Sequence, residues 1–316
     1  MMHDHKSVLL IGGGGTLGSY VAQESLSLGY CVDIICLEDK ISDNERLNFY
    51  KADATEAFLT EFLSRKRYDG IVNFIHYDDP EDYKPVHELL IANTDHLIFV
   101  SSYRVYADLQ HPVTESAPML LDVSRDKMLL EKETYALSKA KAERFLRNEH
   151  SGENWTIVRP VISFSHNRFD LVTYFGHDLL HRIKAGETIL LPKQAKDLVA
   201  GIDWAGNTGK IIAHLLFKQQ AIGEAFTVSS AQNVTWEQVA ALYGELCGAK
   251  FRWVELDDYL RANRINLHAL LYDRLYDRTI DNRKVLQATG LRNEDFLSIK
   301  EGLKIEFSKL EEGEWA

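Results

Sequence analysis

The chain has 316 residues, of which 45% are hydrophobic, and its 36 basic side chains against 47 acidic ones give a formal net charge of −11. Proteins that bind nucleic acids are usually basic, so this balance argues against a nucleic-acid partner. No apolar run approaches the length needed to cross a bilayer, which argues against a membrane protein.

Apolar runs alternate with helical periodicities through the first half of the chain. The runs predict strands at 7–11, 32–36, 48–51, 70–75, 96–101 and 155–158. The periodic segments predict helices at 16–28, 55–66, 85–92 and 134–148. This order is typical of an α/β fold with a Rossmann-type, doubly wound parallel sheet, which binds ligands at the carboxyl ends of its strands.

The alternation stops after about residue 162. Predicted strands at 188–191, 225–228 and 251–255 then mix with predicted helices at 175–185, 207–217, 236–247 and 299–310. We therefore expect residues 1–162 to form a dinucleotide-binding domain. Residues 163–316 are expected to form most of a smaller C-terminal α/β substrate lobe, with segments near 195–230 returning to the first domain.

The first strand leads into a glycine-rich turn with Gly12, Gly15 and Gly18 at three-residue spacing. Such a turn lets backbone N–H groups approach a pyrophosphate at the N-terminus of the next helix, where a side chain would hold the phosphates away. We expect these glycines, with Thr16 and Leu17 between them, to bind a dinucleotide.

A second pattern suggests redox chemistry. Tyr135 and Lys139 lie one helical turn apart, and Ser102 follows the fifth predicted strand. An ammonium and the positive charge of an oxidised nicotinamide favour a phenolate, so the tyrosine could exchange a proton with a substrate alcohol or carbonyl during hydride transfer. Ser102 would hydrogen-bond the same substrate oxygen, and Lys139 would also hold the ribose. The alternative is a surface helix that carries a tyrosine and a lysine by chance.

These features resemble the short-chain dehydrogenase/reductase superfamily, in its extended or atypical branch, which includes NAD-dependent epimerase/dehydratase-like and isoflavone-reductase-like members. The stretches that carry the resemblance are Gly12–Gly18, Ala52–Thr55, Val100–Tyr106, Tyr135–Lys139 and Val158–Pro160. The resemblance implies that Ser102, Tyr135 and Lys139 are catalytic and that Tyr135 and Lys139 also contact the cofactor. It further implies that Asp53 holds the adenine and that Pro160 lies beside the cofactor.

The sequence departs from the family pattern at three places. Asp197 stands where the family often has an arginine that binds a nucleotide-sugar phosphate, although Lys193 or Lys196 could compensate. Tyr103 and Arg104 stand where sugar dehydratases have an acidic pair, so the acid needed for that elimination is missing. After the fourth strand, His76 replaces a small residue and either contacts the cofactor or substrate or fills the loop.

The end of the second predicted strand bears on the choice of cofactor. A carboxylate there accepts a hydrogen bond from the ribose 2′-OH of NAD, whereas an arginine accommodates the phosphate of NADP. Cys36 occupies the usual acidic position, and Glu38 follows two residues later, before any basic residue. This pattern favours NAD over NADP through Glu38, unless Glu38 is only a solvated turn residue.

A late segment mixes arginines with aspartates. Its arginines are Arg261, Arg264, Arg274 and Arg278. They could bind an anionic substrate, but alternating charge of this kind is typical of a solvated face, which is the interpretation we adopt.

The sequence therefore predicts an NAD(P)-dependent oxidoreductase or epimerase that acts on a secondary alcohol or ketone of a small molecule. The alternative is a catalytically idle NAD(P)-binding sensor or scaffold, an idea motivated by His76 and Asp197. The three cysteines lack metal-ligand spacing and no room for a signal peptide precedes the first strand, so we expect a cytoplasmic protein with no metal. The short helix predicted at 85–92 leaves both a monomer and a homodimer open.

Overall fold

The computed structural model describes residues 5–132, 134–263 and 267–312. Its strands are β1 (Ser7–Ile11), β2 (Cys31–Cys36), β3 (Leu47–Lys51), β4 (Tyr68–Asn73), β5 (Thr94–Val100), β6 (Trp155–Pro160), β7 (Ile162–Phe164), β8 (Asp170–Leu171), β9 (Tyr174–Phe175), β10 (Thr188–Pro192), β11 (Ile202–Trp204), β12 (Ala225–Val228) and β13 (Lys250–Val254). Its helices are α1 (Thr16–Ser27), α2 (Glu56–Leu63), α3 (Pro80–Ala92), α4 (Leu120–Val123), α5 (Lys127–Lys132), α6 (Thr134–Glu149), α7 (Gly176–Lys184), α8 (Ala205–Leu215), α9 (Trp236–Cys247), α10 (Leu256–Ala262), α11 (Leu267–Ala269), α12 (Arg283–Thr289) and α13 (Ile299–Glu312).

Within these residues, seven parallel strands form the central sheet in the order β12-β6-β5-β4-β1-β2-β3. The strand order reverses direction between β1 and β4, which opens a crevice at the carboxyl ends of the strands. The predicted doubly wound α/β fold is thereby confirmed. β12 comes late in the chain but pairs with β6, so the sheet takes a strand from beyond residue 200.

The inner strands of the sheet are buried on both faces: successive side chains of a strand point to opposite sides, and a separate hydrophobic cluster covers each side. On β1, Val8 and Leu10 pack into one hydrophobic cluster with α1, α8 and α12. Leu9 and Ile11 pack into another with α2, α3 and α6. The first cluster brings α8 against α1 so closely that a Cβ at Gly209 would lie 2.7 Å from the Cβ of Tyr20.

Helix α3 is longer than the sequence suggested. It begins at Pro80 rather than Pro85, because the Asp79 carboxylate caps the N–H of Glu81 at 3.0 Å and Pro80 takes the first helical position. Pro85 lies inside the helix. The length of this helix therefore gives no reason to exclude a homodimer, and the oligomeric state stays a prediction.

The remaining strands pair outside the central sheet. The pairs β7–β11 and β10–β13 are parallel, and β8–β9 is antiparallel. A third hydrophobic cluster fills this part of the molecule. Helix α13 inserts the buried Glu306 carboxylate into it, where Glu306 accepts hydrogen bonds from the Trp204 indole at 2.7 Å and the His166 backbone at 2.8 Å. None of the helices that the structure describes has the length and hydropathy of a membrane-crossing segment.

Candidate active site

The glycine-rich turn folds tightly where β1 meets α1. Gly12 has φ of +73°, and its N–H donates to the Ile35 carbonyl at 2.9 Å. A Cβ at Gly18 would lie 2.3 Å from the carbonyl oxygen of Gly13, so the first turn of α1 rests directly on the loop. Gly15 is the N-cap of α1, and a Cβ there would meet no atom within 4 Å. The helix N-terminus is therefore open to an anionic group, as the sequence predicts.

A cavity of about 250 Å³ lies on one side of this turn. Glu38 and Asp53 line it together with Gly12 and Gly15. Lys40, which follows β2, folds back over the turn, and its Nζ donates to the Gly14 carbonyl at 2.6 Å. The structure thus brings together the residues predicted to contact the adenosine half of a dinucleotide.

A larger cavity of about 550 Å³ lies at the first turn of α1. Five of the residues predicted for the site line it, namely Thr16, Leu17, Ser102, Tyr135 and Pro160. Its other lining residues are Phe74, Val100, Ser101, Tyr103, Arg104, Val161, Ile162, Ser163, Arg168, Asp273 and Arg274. The smaller cavity is lined by Gly12 and Gly15 and the larger one by Thr16 and Leu17, so both cavities adjoin the segment that leads from β1 into α1.

Ser102 and Tyr135 converge at the large cavity. Ser102 follows β5 and Tyr135 lies in the first turn of α6. Burial raises the pKa of the Tyr135 phenol above its usual range, and hydrogen bonding with the Ser102 side chain opposes that rise. The positive charges of Arg104 and Arg168 also favour the phenolate, whereas Asp273 disfavours it. The serine–tyrosine pair predicted from the sequence is therefore assembled.

Lys139 lies one turn further along α6 and is almost fully buried. Its Nζ donates to the carbonyl oxygens of Val100 at 2.8 Å and Ile75 at 3.0 Å. Burial lowers the pKa of this amine to about 7, although Glu143 opposes the shift. The lysine thus joins the carboxyl ends of β4 and β5, while the guanidinium groups of Arg104 and Arg168 supply the positive charge that acts on Tyr135.

His76 packs against the ring of Tyr135 and lines neither cavity. Its ring centroid is 4.8 Å from that of Tyr135, and its Nε2 is 3.1 Å from an Asp78 carboxylate oxygen. Burial and the charge of Lys139 lower the pKa of His76, against the opposing effect of Asp78. Its buried Nδ1 has no hydrogen-bond partner in the part of the chain that the structure describes.

The interpretation of the late arginine segment as a solvated face is wrong for two of its members. Arg274 is 9% exposed and Arg278 1% exposed, because both pack beside the buried Asp273, and Arg274 also lines the large cavity. Arg274 donates to the Asp273 carboxylate at 2.6 Å, and an Arg278 nitrogen lies 3.6 Å from it. Of the other two, Arg261 is exposed and pairs with Asp258, and Arg264 lies outside the described residues.

We call the charged groups around Asp273 the arginine cluster. Its members are Arg104, Arg168, Asp170, Asp273, Arg274 and Arg278. Burial would raise the pKa of Asp273, but the charges of Arg274, Arg104 and Arg278 together hold it below its usual value. No sequence pattern indicates that segments 170 residues apart meet here, as they do in the 2.7 Å hydrogen bond from Tyr103 to Asp273.

The residues expected near a substrate phosphate lie elsewhere. Asp197 is exposed. Lys193 pairs with Glu255 at 2.5 Å, and Lys196 pairs with Glu237 at 3.0 Å. Positive charge in the cavity comes instead from Arg104, at the position where the family's sugar dehydratases have an acid, and from Arg168 and Arg274.

The residues around the glycine-rich turn fit a bound dinucleotide. A Cβ at Gly12 or Gly18 would collide with neighbouring atoms, so only glycine permits this tight turn. The N-terminus of α1 has no side-chain cap, and its N–H groups can bind a pyrophosphate. Glu38 lies at the carboxyl end of β2, where a ribose diol would be recognised. These observations favour NAD over a dinucleotide with an additional phosphate.

The comparisons with known proteins agree with this geometry. The sequence model of the NAD dependent epimerase/dehydratase family matches residues 8–205. This match spans the glycine-rich turn, the central sheet up to β6, and both cavity-lining residues Ser102 and Tyr135. No curated protein matches the sequence.

Solved structures share the fold over almost the whole chain. An epimerase from Methanothermobacter thermautotrophicus has a TM-score of 0.72 at 16% identity, covering 98% of this chain and 93% of that one. The Bordetella bronchiseptica enzyme WbmH in complex with NAD+ has a TM-score of 0.69 at 18% identity, covering 98% and 99%. The UDP-glucose 4-epimerase of Thermotoga maritima, solved with UDP-glucose, has a TM-score of 0.68 at 16% identity, covering 97% and 99%.

Proposed function

The chain belongs to the NAD dependent epimerase/dehydratase family, and from this premise we propose that it oxidises a secondary alcohol, or reduces the matching ketone, with Tyr135 as the acid/base. It is an NAD-dependent enzyme of the short-chain dehydrogenase/reductase type. The observation that carries the proposal is the convergence of Tyr135 and Ser102 on one cavity that the glycine-rich turn borders.

In this proposal, the cofactor lies across the glycine-rich turn. Gly12, Gly15 and the N-terminus of α1 bind its pyrophosphate, and Glu38 and Asp53 line the cavity for its adenosine half. We assign the ribose hydroxyls to Lys139, whose Nζ donates to the carbonyl of the cavity-lining Val100, and the nicotinamide to the end of the large cavity that Pro160 lines. When bound, NAD accepts a hydride from the substrate carbon or returns it.

Tyr135 moves the proton that accompanies this transfer. Because burial raises the pKa of its phenol, the side chain is protonated at neutral pH and can donate its proton to a substrate carbonyl during reduction. For oxidation it must first become a phenolate. Ser102 and the charges of Arg104 and Arg168 favour that state, and the positive charge of an oxidised nicotinamide would add to them.

Ser102 fixes the substrate oxygen next to the phenol. Its own Oγ accepts a hydrogen bond from the Arg104 backbone at 3.2 Å, which orients the hydroxyl hydrogen away from that bond. The serine can therefore donate to the substrate oxygen while that oxygen shares a proton with Tyr135. Net oxidation of an alcohol and epimerisation through a transient ketone begin with the same hydride transfer. The epimerase from M. thermautotrophicus and the UDP-glucose 4-epimerase of T. maritima, which share this fold, make epimerisation the first reaction to test.

The experiment compares Tyr135→Phe with the unchanged protein. NAD binding is measured by calorimetry. Turnover is measured over a panel of secondary alcohols, hydroxy acids and UDP-sugars, by NADH absorbance for net oxidation and by NMR detection of the epimer for epimerisation, which forms no net NADH. We expect Tyr135→Phe to bind NAD as tightly as the unchanged protein and to lose about a hundredfold or more in turnover. Tyr50→Phe, at a half-exposed tyrosine on β3, is the matched control. Parental turnover in Tyr135→Phe would contradict the assignment.

A further inference from the structure

Two histidines and a glutamate meet where α3 packs against the end of α6. His87 lies in α3, His150 directly follows α6, and Glu153 lies two residues before β6. One carboxylate oxygen of Glu153 is 3.0 Å from Nε2 of His87, and the other is 3.0 Å from Nδ1 of His150. We call these three side chains the His–Glu cluster. Imidazole nitrogens and carboxylate oxygens are both ligands of transition metals, so the cluster contains three ligand groups.

The ligand atoms of the His–Glu cluster are close enough together to share one ion. They lie within 4.8 Å of one another. Zinc bonds of about 2.1 Å to nitrogen and oxygen place the ligands of a tetrahedral ion about 3.4 Å apart. The two contacts of 3.0 Å to Glu153 are already within this separation. The two imidazole nitrogens need to approach each other by at most about 1.4 Å, a distance that side-chain rotation can cover.

The imidazole of His87 has a partner on the side that faces away from Glu153. Its side chain is fully buried, and its Nδ1 lies 3.4 Å from the hydroxyl oxygen of Tyr83, one helical turn earlier. Histidine ligands usually donate their second ring N–H to an oxygen of the protein, which fixes the tautomer and the direction of the ring. Tyr83 can accept that hydrogen bond, which leaves the lone pair on Nε2 directed toward the centre of the cluster.

The segment that carries the other two ligands is held in place through its backbone. The His150 carbonyl accepts hydrogen bonds from the Trp155 indole at 2.7 Å and from the Glu153 N–H at 3.3 Å. The ring of His150 packs against Phe145, with the two centroids 4.5 Å apart. The side chains of Glu153 and His150 are 37% and 15% exposed, so solvent reaches the cluster from this side. An ion can therefore enter here, and water can complete its coordination.

We propose that His87, His150 and Glu153 bind a divalent transition-metal ion such as Zn²⁺, with water as the remaining ligand. Zinc binds to sets of two imidazoles and one carboxylate, whereas Ca²⁺ and Mg²⁺ prefer ligands that are all oxygen. The sequence analysis predicted no metal from the spacing of the cysteines. Because His87 and Glu153 lie 66 residues apart, no local spacing indicates this cluster.

The position of the His–Glu cluster assigns the ion to structure rather than to the redox reaction. Helix α6 carries Tyr135 in its first turn, and His150 lies about 22 Å further along the helix axis. The large cavity lies at the carboxyl ends of β5 and β6, and the cluster lies at the amino end of β6. The ion therefore joins α3 to the connection between α6 and β6, and its binding is independent of the proposed function.

Metal binding is measured on the full-length protein after treatment with a chelator and dialysis. Zn²⁺ is titrated in competition with a chromophoric chelator, and Mg²⁺ is the comparison ion. We expect Zn²⁺ to bind at least about a hundredfold more tightly than Mg²⁺, because two of the three ligands are imidazoles. Zn²⁺ at roughly a hundredfold excess over its dissociation constant should raise the melting temperature by about 4 °C or more. Absence of Zn²⁺ binding, or equal binding of Mg²⁺, would overturn the proposal.

Variants locate the ion. His150→Gln and Glu153→Gln each remove one ligand at the solvent side of the cluster. Each is expected to weaken Zn²⁺ binding about tenfold or more and to lose the rise in melting temperature. His177→Gln, at an exposed histidine of α7, is the matched control and should bind Zn²⁺ normally. Melting curves without metal check that each variant is folded. Unchanged Zn²⁺ affinity in both ligand variants would contradict the assignment.

The histidines near the N-terminus require a control of their own. His3 and His5 are two residues apart in the sequence, and a pair of this kind can chelate a metal by itself. The double variant His3→Gln/His5→Gln is expected to keep the Zn²⁺ affinity of the unchanged protein. If it loses that affinity while His150→Gln keeps it, the N-terminal histidines bind the ion and the proposal fails.

Discussion

The Nζ atom of Lys139 lies 2.8 Å from the carbonyl oxygen of Val100, the last residue of β5. A lysine amine is thus buried at the carboxyl edge of the sheet, where its partners are neutral carbonyl groups. Such an environment disfavours the charged form, which is why the pKa falls to about 7. A lysine placed at this cost to stability is consistent with a role in function rather than in folding.

Replacing Lys139 is expected to change how stability depends on pH. The pKa of the amine is about 7 in the folded protein and about 10.5 when unfolded, so the unfolded chain binds more protons between these values. The unchanged protein should therefore gain roughly 3 kcal/mol of unfolding free energy from pH 7 to 10 relative to Lys139→Met. Urea denaturation at several pH values measures this difference. Lys141→Met, on the exposed side of α6, should run parallel to the unchanged protein.

Two glycines of the same turn are expected to respond differently to alanine. A Cβ at Gly18 would lie 2.3 Å from a backbone oxygen, so Gly18→Ala must push α1 away from the loop. We expect a loss of about 2 kcal/mol in unfolding free energy together with loss of NAD binding. Gly15→Ala has open space around it and should keep its stability while binding NAD more weakly. Denaturation and calorimetry on both variants test this contrast, which equal stability losses would contradict.

The contrast between what the sequence predicted and what it missed has a physical reason. The glycine turn, the serine and the tyrosine belong to local patterns with fixed spacing, and the structure places Ser102 and Tyr135 together. The late segment that contains Arg274 and Arg278 has the same sequence pattern of alternating charges whether its side chains face solvent or a cavity. Only the tertiary fold brings Asp273 to Tyr103 and buries Arg278, so the arginine cluster could not be predicted.

Local rules also explain the smaller error. The sequence analysis predicted that α3 begins at Pro85, and proline is common in the first turn of a helix. Asp79 and Pro80 form an earlier helix-start signal, an N-cap followed by proline at the first helical position. The Asp79 side chain caps the helix, which therefore begins at Pro80 and not at Pro85.

His76 and Asp197 motivated the alternative hypothesis of a catalytically idle sensor, and the structure shows where each side chain lies. His76 packs on the Tyr135 ring, and Asp197 is exposed.

Glu38 is expected to control the preference for NAD. It lines the adenosine-side cavity, and its carboxylate would repel the 2′-phosphate of NADP. Glu38→Gln should weaken NAD binding about tenfold and strengthen NADP binding, helped by Lys40, whose Nζ already lies 2.6 Å from the Gly14 carbonyl. Calorimetry with both cofactors provides the measurement, and Asp43→Asn, at an exposed loop position, is the control. An unchanged ratio of the two affinities would rule out this role.

His96 is expected to limit stability in acid. Its buried Nδ1 accepts a hydrogen bond from the Phe217 N–H at 2.9 Å, so the proton resides on Nε2, which lies 2.8 Å from the Thr156 hydroxyl. Burial lowers the pKa of His96 to about 4, against about 6.5 in the unfolded chain. The unfolded state therefore binds the extra proton as the pH falls from 6.5 to 4, which should cost about 3 kcal/mol of unfolding free energy. His96→Gln should show a shallower acid dependence in urea denaturation, and the exposed His177→Gln should not. Parallel curves for His96→Gln and the unchanged protein would show that other groups set the acid limit.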